Sequence, residues 1–288
     1  MRSDNVLQYF FLFLLGSVFC ILYFQVFQWL FFSWQHNPYY NHGFIIPFIS
    51  GFLIWRIWII KRKDFVPGLN LPGLFLIIAG LFVYTAGQIY AAYWICALSL
   101  IPVLQGILSQ ISGWKNSTQF LFPVIFLIFM IPLPFIDYVT TCFAVFSAYC
   151  VSIILHACGI PVIVNGAEIF LTDSSFRIGL PCSGLKTLIS LLIPSCLLIF
   201  MYDCSIRQKL LLFIVIFPLA LVTNIVRILL LVIFSQVYGP AYALKTAHDY
   251  LGIMMPILVF IGILALARSI GCSTIKKGFI SSEPDLPR

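Results

Sequence analysis

The sequence predicts an all-α polytopic membrane protein: about eight transmembrane helices plus one interfacial helix and a short extracytoplasmic β-hairpin. Three observations lead there. Of 288 residues, 62% are hydrophobic and 9% charged, against roughly a quarter charged in a soluble domain. Apolar runs of about 20 residues, the length that crosses a bilayer as a helix, recur along the chain. The length leaves room for those spans and short loops but for no sizeable soluble domain. A single transmembrane domain is therefore expected over 1–273, with a short polar cytoplasmic tail over 274–288. The net charge of +7 is the excess that membrane proteins keep in cytoplasmic loops. It makes membrane lipids, and not nucleic acid, the expected partners.

The expected spans are 6–32, 43–60, 71–88, 90–112, 119–136, 183–201, 210–234 and 250–267. The first is too long for a signal-peptide h-region of about 7–15 residues, so it reads as a retained span. Lys61, Arg62 and Lys63 form the strongest basic cluster and orient the chain with both termini in the cytoplasm. Segment 138–160 is apolar but carries Thr140, Thr141, Ser147, Ser152 and His156. If it crossed, Arg207 and Lys209 would face outward. Laid along the outer interface, it returns Arg207, Lys209, Arg268, Lys276 and Lys277 to the cytoplasm, and that threading is the expectation. Stretch 162–180 is β-branched, with turn chemistry at Asn165–Gly166 and Asp173–Ser174–Ser175, so it reads as a hairpin. It lies outside and leads into Cys182.

Nine cysteines without a CxxC pair give no zinc or thioredoxin signature, and no metal or cofactor is expected. Cys20, Cys96, Cys150 and Cys196 sit in apolar runs, where cysteine is a small hydrophobe. Cys182 differs. It follows Pro181 at the outer end of a span, where helix N-terminal N–H groups favour a thiolate. Ser183 follows it, and Lys186 falls at i+4. The alternative is an inert cysteine at a helix start.

Arg227 lies in "LVTNIVRILLLV", where an intramembrane arginine marks function by default. It is 18 residues beyond Lys209, a rise of about 27 Å at 1.5 Å per residue, close to the far edge of a core about 30 Å thick. Thr223 and Asn224, one turn earlier, extend its polar stripe. The alternative is an arginine snorkelling to outer headgroups. His248, in "YALKTAHDYLG", enters the last span from outside; alone, it reads equally as a solvated loop histidine. Together, a cysteine, an arginine and a histidine from three spans reach one outer level. That is the minimal constellation for covalent acyl transfer, with a fixed positive charge for thiolate or oxyanion.

At these residues the chain resembles the exosortase/archaeosortase family of membrane cysteine transpeptidases. The likeness rests on "NHGFIIPFISGFLIW", "FMIPLP", "GIPVIVNGAEIFL", "PCSGLKTLISLL", "TNIVRILLL" and "AHDYLG", and covers most of the chain. It implies Cys182 as nucleophile, Arg227 as essential arginine and His248 as acid/base. Asn224, Thr223, Lys186, Ser183 and His42 would be supporting or substrate-binding residues. It also implies client partners: secreted proteins with a C-terminal sorting signal such as PEP-CTERM, made of a motif, a transmembrane helix and a basic cluster. The acceptor is open among a lipid, a glycan precursor and water. The implied location is the cell inner (plasma) membrane, with the active site extracytoplasmic. The chain reads "GLP" before Cys182, where many members have small residues such as alanine; this bears on subfamily. The rival reading is a small transporter with an anion site around Arg227, for which Cys182 would be dispensable.

Overall fold

A computed structural model describes residues 16–171, 184–272 and 274–275. Among them, six helices are long and apolar enough to cross a membrane, or seven if a bent pair at the N-terminal end counts as one span. The chain is a multi-pass membrane protein, and it divides into two compact units, 1–134 and 135–288.

The first unit holds α1 (Gly16–Leu22) and α2 (Phe24–His36), which meet at 58°. They are followed by α3 (Ile46–Lys61), α4 (Leu71–Ile89), α5 (Tyr93–Leu98), α6 (Leu100–Ser112), α7 (Trp114–Ser117) and α8 (Leu121–Phe126). Its tightest contact joins α4 to α5 and α6. Gly73, Gly80 and Gly87 recur every seven residues and so share one face of α4. A Cβ at Gly80 would lie 2.5 Å from Val103 Cγ2, and one at Gly87 would lie 2.6 Å from Cys96 Sγ. Lipid gives two helices little hydrophobic reason to associate, so small residues that admit close backbone packing supply the attraction. Asn70 caps α4 by accepting from Gly73 N at 2.8 Å, and its amide donates to Ser109 O at 2.8 Å on α6.

The expected span 119–136 is not one helix. Residues 118–120 and 127–130 are 3-10 turns on either side of α8, which contains Pro123. The stretch nevertheless runs the height of α3 in the opposite sense. Asn116 Nδ2 donates to Asp64 O at 2.7 Å beyond the C-terminal end of α3. Ser50 donates to Pro123 O midway. His42 bonds Phe129 O at 3.0 Å near the N-terminal end.

The second unit begins with α9 (Ile136–Ala157), then β1 (Val162–Asn165) and β2 (Glu168–Leu171). The hairpin is antiparallel with Asn165 opposite Glu168, and Gly166 takes φ +60° in its two-residue turn. The turn expected at Asn165–Gly166 is therefore present; 172–180, with Asp173–Ser175, lies outside the described residues. Next come α10 (Leu185–Met201), α11 (Ile206–Tyr238), the single turn α12 (Pro240–Tyr242), a π-turn over Ala243–Ala247, and α13 (His248–Ser269).

Segment 138–160, expected along the outer interface, forms one continuous helix. Its 22-residue helix α9 meets the length and apolarity of a span. Its polar residues are compatible with that because most bond their own helix. Thr140, Thr141 and Ser152 donate to the carbonyls of Ile136, Asp137 and Tyr149. The exception, Ser147, is buried against α11. A helix that satisfies its side-chain hydroxyls internally presents little unpaired polarity to lipid.

Two ends of the second unit can be distinguished. At one, Ser205 and Gln208 form a capping box that starts α11, and Gln208 Nε2 donates to Ile270 O beyond α13. Cys204 and Cys272 are disulfide-bonded there, and Asp203 N donates to Thr274 O. At the other end, one apolar cluster unites Ala148, Val151 and Leu155 of α9 with Ile228, Leu231 and Val232 of α11. Val162 and Ile169 of the hairpin and Ala243 and Ala247 of the π-turn complete it.

Gly80→Leu forces a branched side chain into Val103 and should destabilise the first unit by about 1–3 kcal/mol, the usual cost of overpacking. A melting temperature in detergent equal to that of the unaltered chain would contradict the glycine-face packing.

Candidate active site

Arg227 is buried in the helix bundle, with 4% of its surface exposed. Helical side chains lean toward the helix N-terminus, so its guanidinium points back along α11. There Nη1 donates to Thr187 Oγ1 at 3.5 Å on α10. Nε and Nη2 are also buried and have no hydrogen-bond partner among the described residues. This geometry does not fit snorkelling, which keeps the charged head in water or headgroups. An ion withdrawn from water without a counter-charge costs several kcal/mol.

Asn224, one turn before Arg227, is fully buried and donates from Nδ2 to Ser147 Oγ at 3.1 Å on α9. Thr223 is buried too, but its hydroxyl is turned onto Leu219 O in its own helix. The predicted polar stripe is thus real, with Asn224 and Arg227 reaching other helices and Thr223 satisfied locally.

Helix α10 starts at Leu185 after Gly184, which adopts φ +84°. Gly184 is the N-cap of the helix. Lys186 is exposed, while Leu185, Thr187, Leu188 and Leu191 face inward. Thr187, not Lys186, is the polar residue that α10 presents to Arg227. Cys182 and Ser183 lie outside the described residues.

His248 is the first residue of α13, immediately after the π-turn. Asp249 Oδ1 lies 3.4 Å from its Nδ1. A carboxylate on Nδ1 favours the tautomer that puts the imidazole lone pair on Nε2, and Asp249 is largely exposed, so water weakens that bias. Ala247, beside His248, and Ile228, beside Arg227, belong to the same apolar cluster as the hairpin strand β2. Strand β2 ends at Leu171, and the described residues resume at Gly184. Arg227, His248, β2 and Gly184 therefore gather at one end of the second unit.

His42 belongs to the first unit and has a definite local task. Its Nε2 bonds Phe129 O at 3.0 Å, Trp34 Nε1 donates to Met130 O at 2.7 Å, and Leu133 N donates to Tyr40 Oη at 3.0 Å. Three side chains of the "NHGF" region thus clamp the backbone of "FMIPLP". Gly43 lies so close to the Trp34 indole that no side chain fits there.

Membrane-length apolar helices around a buried arginine define a multi-pass membrane protein. Residues 34–266 match the family described as transmembrane exosortase, and the chain belongs to that family. No curated protein and no solved structure matches it. Sequence reasoning missed Thr187, Ser147, Gly184 and Asp249. A lone threonine, serine or glycine in an apolar run carries no signal until the partner helix is known.

Arg227→Met fills the same space without a charge. Replacing a buried ion by an apolar isostere is often neutral or stabilising by about 1–4 kcal/mol. The variant should melt in detergent at or above the temperature of the unaltered chain while losing function. A fall of several degrees would mean that Arg227 serves the fold.

Proposed function

We propose that this protein is a membrane-embedded cysteine peptidase/transpeptidase of the exosortase type. It cleaves the C-terminal sorting tail of secreted client proteins and passes them to an acceptor. The observation that carries the reading is the buried Arg227, with donors open at the start of α10, in a chain of the transmembrane exosortase family. An enclosed cation that meets no anion among the described residues suits a charge that exists only while the enzyme works. A transporter anion site would use the same arginine, but nothing in its surroundings favours that reading over the family's own chemistry.

In the proposed mechanism the client is anchored by its tail helix, with its recognition motif at the outer face. The Cys182 thiolate attacks a carbonyl carbon of the motif, and the carbonyl π pair moves onto oxygen. Arg227 stabilises the thiolate and then that oxyanion. Collapse re-forms the carbonyl and breaks the C–N bond. His248 gives its proton to the departing amine, leaving a Cys182 thioester and a tail helix in the membrane. The neutral His248 next takes a proton from the acceptor nucleophile as it attacks the thioester, and Cys182 leaves as thiolate. Asp249 orients His248 through Nδ1. Asn224, Thr223, Ser183 and Lys186 are proposed as supporting or substrate-binding groups, and His42 as a holder of the "FMIPLP" turn.

The proposed setting is the inner (plasma) membrane, with both termini cytoplasmic and the site extracytoplasmic. Residues 1–273 then act as one exosortase-like domain; the tail beyond 275 lies outside the described residues. The family match spans both compact units, which supports their working together.

Cys182→Ala should abolish release of a co-expressed secreted client bearing a motif–helix–basic tail, with the variant inserted at normal abundance. The measure is the ratio of tail-bearing to tail-free client on a gel. Undiminished tail removal by that variant would eliminate Cys182 as the nucleophile.

A further inference from the structure

Three helices of the second unit meet at Asn224, and the junction lies two residues along the chain from Cys182. Gly184 packs directly on the Asn224 side chain. A Cβ on Gly184 would sit 2.8 Å from Asn224 Cγ, 2.9 Å from Nδ2 and 3.0 Å from Cβ. Distances under 3.0 Å are inside van der Waals contact, and Asn224 is fully buried, so it has little room to yield. Gly184 also holds φ +84°, a region that side chains other than glycine's avoid. Two independent constraints thus demand glycine at this point. From its far side Asn224 donates to Ser147 Oγ of α9 at 3.1 Å, and Ser147 is itself fully buried. Gly184 O then accepts from Leu188 N at 2.9 Å, closing the first turn of α10. Within that same turn Thr187 accepts from Arg227.

From this geometry we infer that Ser147 and Gly184 are positioning residues for the reaction, acting through Asn224. Ser147 fixes the rotamer of the Asn224 amide. The amide fixes how closely Gly184 approaches α11. Gly184, two residues after Cys182 in sequence, fixes where α10 begins, and hence the height at which Thr187 meets Arg227. Neither residue touches substrate. This rests on the proposed role of Cys182 as nucleophile. It goes beyond that role by making the α9–α11 contact, distant in sequence from the cysteine, a determinant of thiol reactivity.

The test uses the full-length protein in detergent and no client. Iodoacetamide alkylation of Cys182 is followed from pH 5 to 9 on the tryptic peptide 178–186, which contains no other cysteine. Ser147→Ala, Gly184→Ala and the control Ser152→Ala are compared. Ser152 lies on the same helix, and its hydroxyl is bound to its own helix at Tyr149 O. Displacing a thiol from a cation and a helix N-terminus raises its pKa. The inference expects the midpoint to rise by about half a unit or more in both variants, about threefold less thiolate at neutral pH. The control should superimpose on the unaltered chain. A purely structural Ser147 would lower the melting temperature but leave the midpoint in place. Midpoints unchanged in Ser147→Ala and Gly184→Ala overturn the inference. If Gly184→Ala fails to fold, Ser147→Ala alone decides it. Failure of the underlying reading looks different: Cys182→Ala then still processes client, whatever the midpoints show.

Discussion

The structure of the second unit depends on one constraint, the enclosure of the Arg227 guanidinium between α10 and α11. Removing a cation from water costs more than most single contacts return, so the surrounding helices must be held together by something else. The apolar cluster joining α9, α11, the hairpin and the π-turn does this. The disulfide and capping box do it at the other end. Arg227 is thus carried by the fold and does not support it. This division is expected where a group is kept for chemistry and the rest of the molecule bears its cost.

Around that charge the local structure is arranged to limit freedom. Thr187 engages one of its nitrogens, and Asn224 is held between Ser147 and Gly184. His248 begins a helix directly after a π-turn whose residues are packed into the cluster. Thr187 lies on α10, Arg227 and Asn224 on α11, and His248 on α13. Side chains on such rigid elements hold a preorganised geometry.

Much of this was legible in the sequence. Arg227 stood out because a charge in "NIVRILLL" is costly, and the hairpin because Asn–Gly between β-branched runs admits few other structures. What the sequence does not display has physical reasons. In segment 138–160 the hydroxyls of Thr140, Thr141 and Ser152 bond the preceding turn, a pairing that composition does not display. Segment 119–136 looked like one helix, but Pro123 and two 3-10 turns divide it. Gly184, Ser147 and Thr187 could not be singled out because their importance lies in tertiary contacts.

The central claim is that the buried guanidinium is the charge partner of the Cys182 sulfur. Its most direct test is the ionisation of that thiol with and without the cation, measured by thiolate absorbance in a variant whose other free cysteines are replaced. The account predicts a Cys182 pKa below the ordinary thiol value of about 8.5 in the presence of Arg227, rising to or above it in Arg227→Met. The same pKa in both proteins would contradict it.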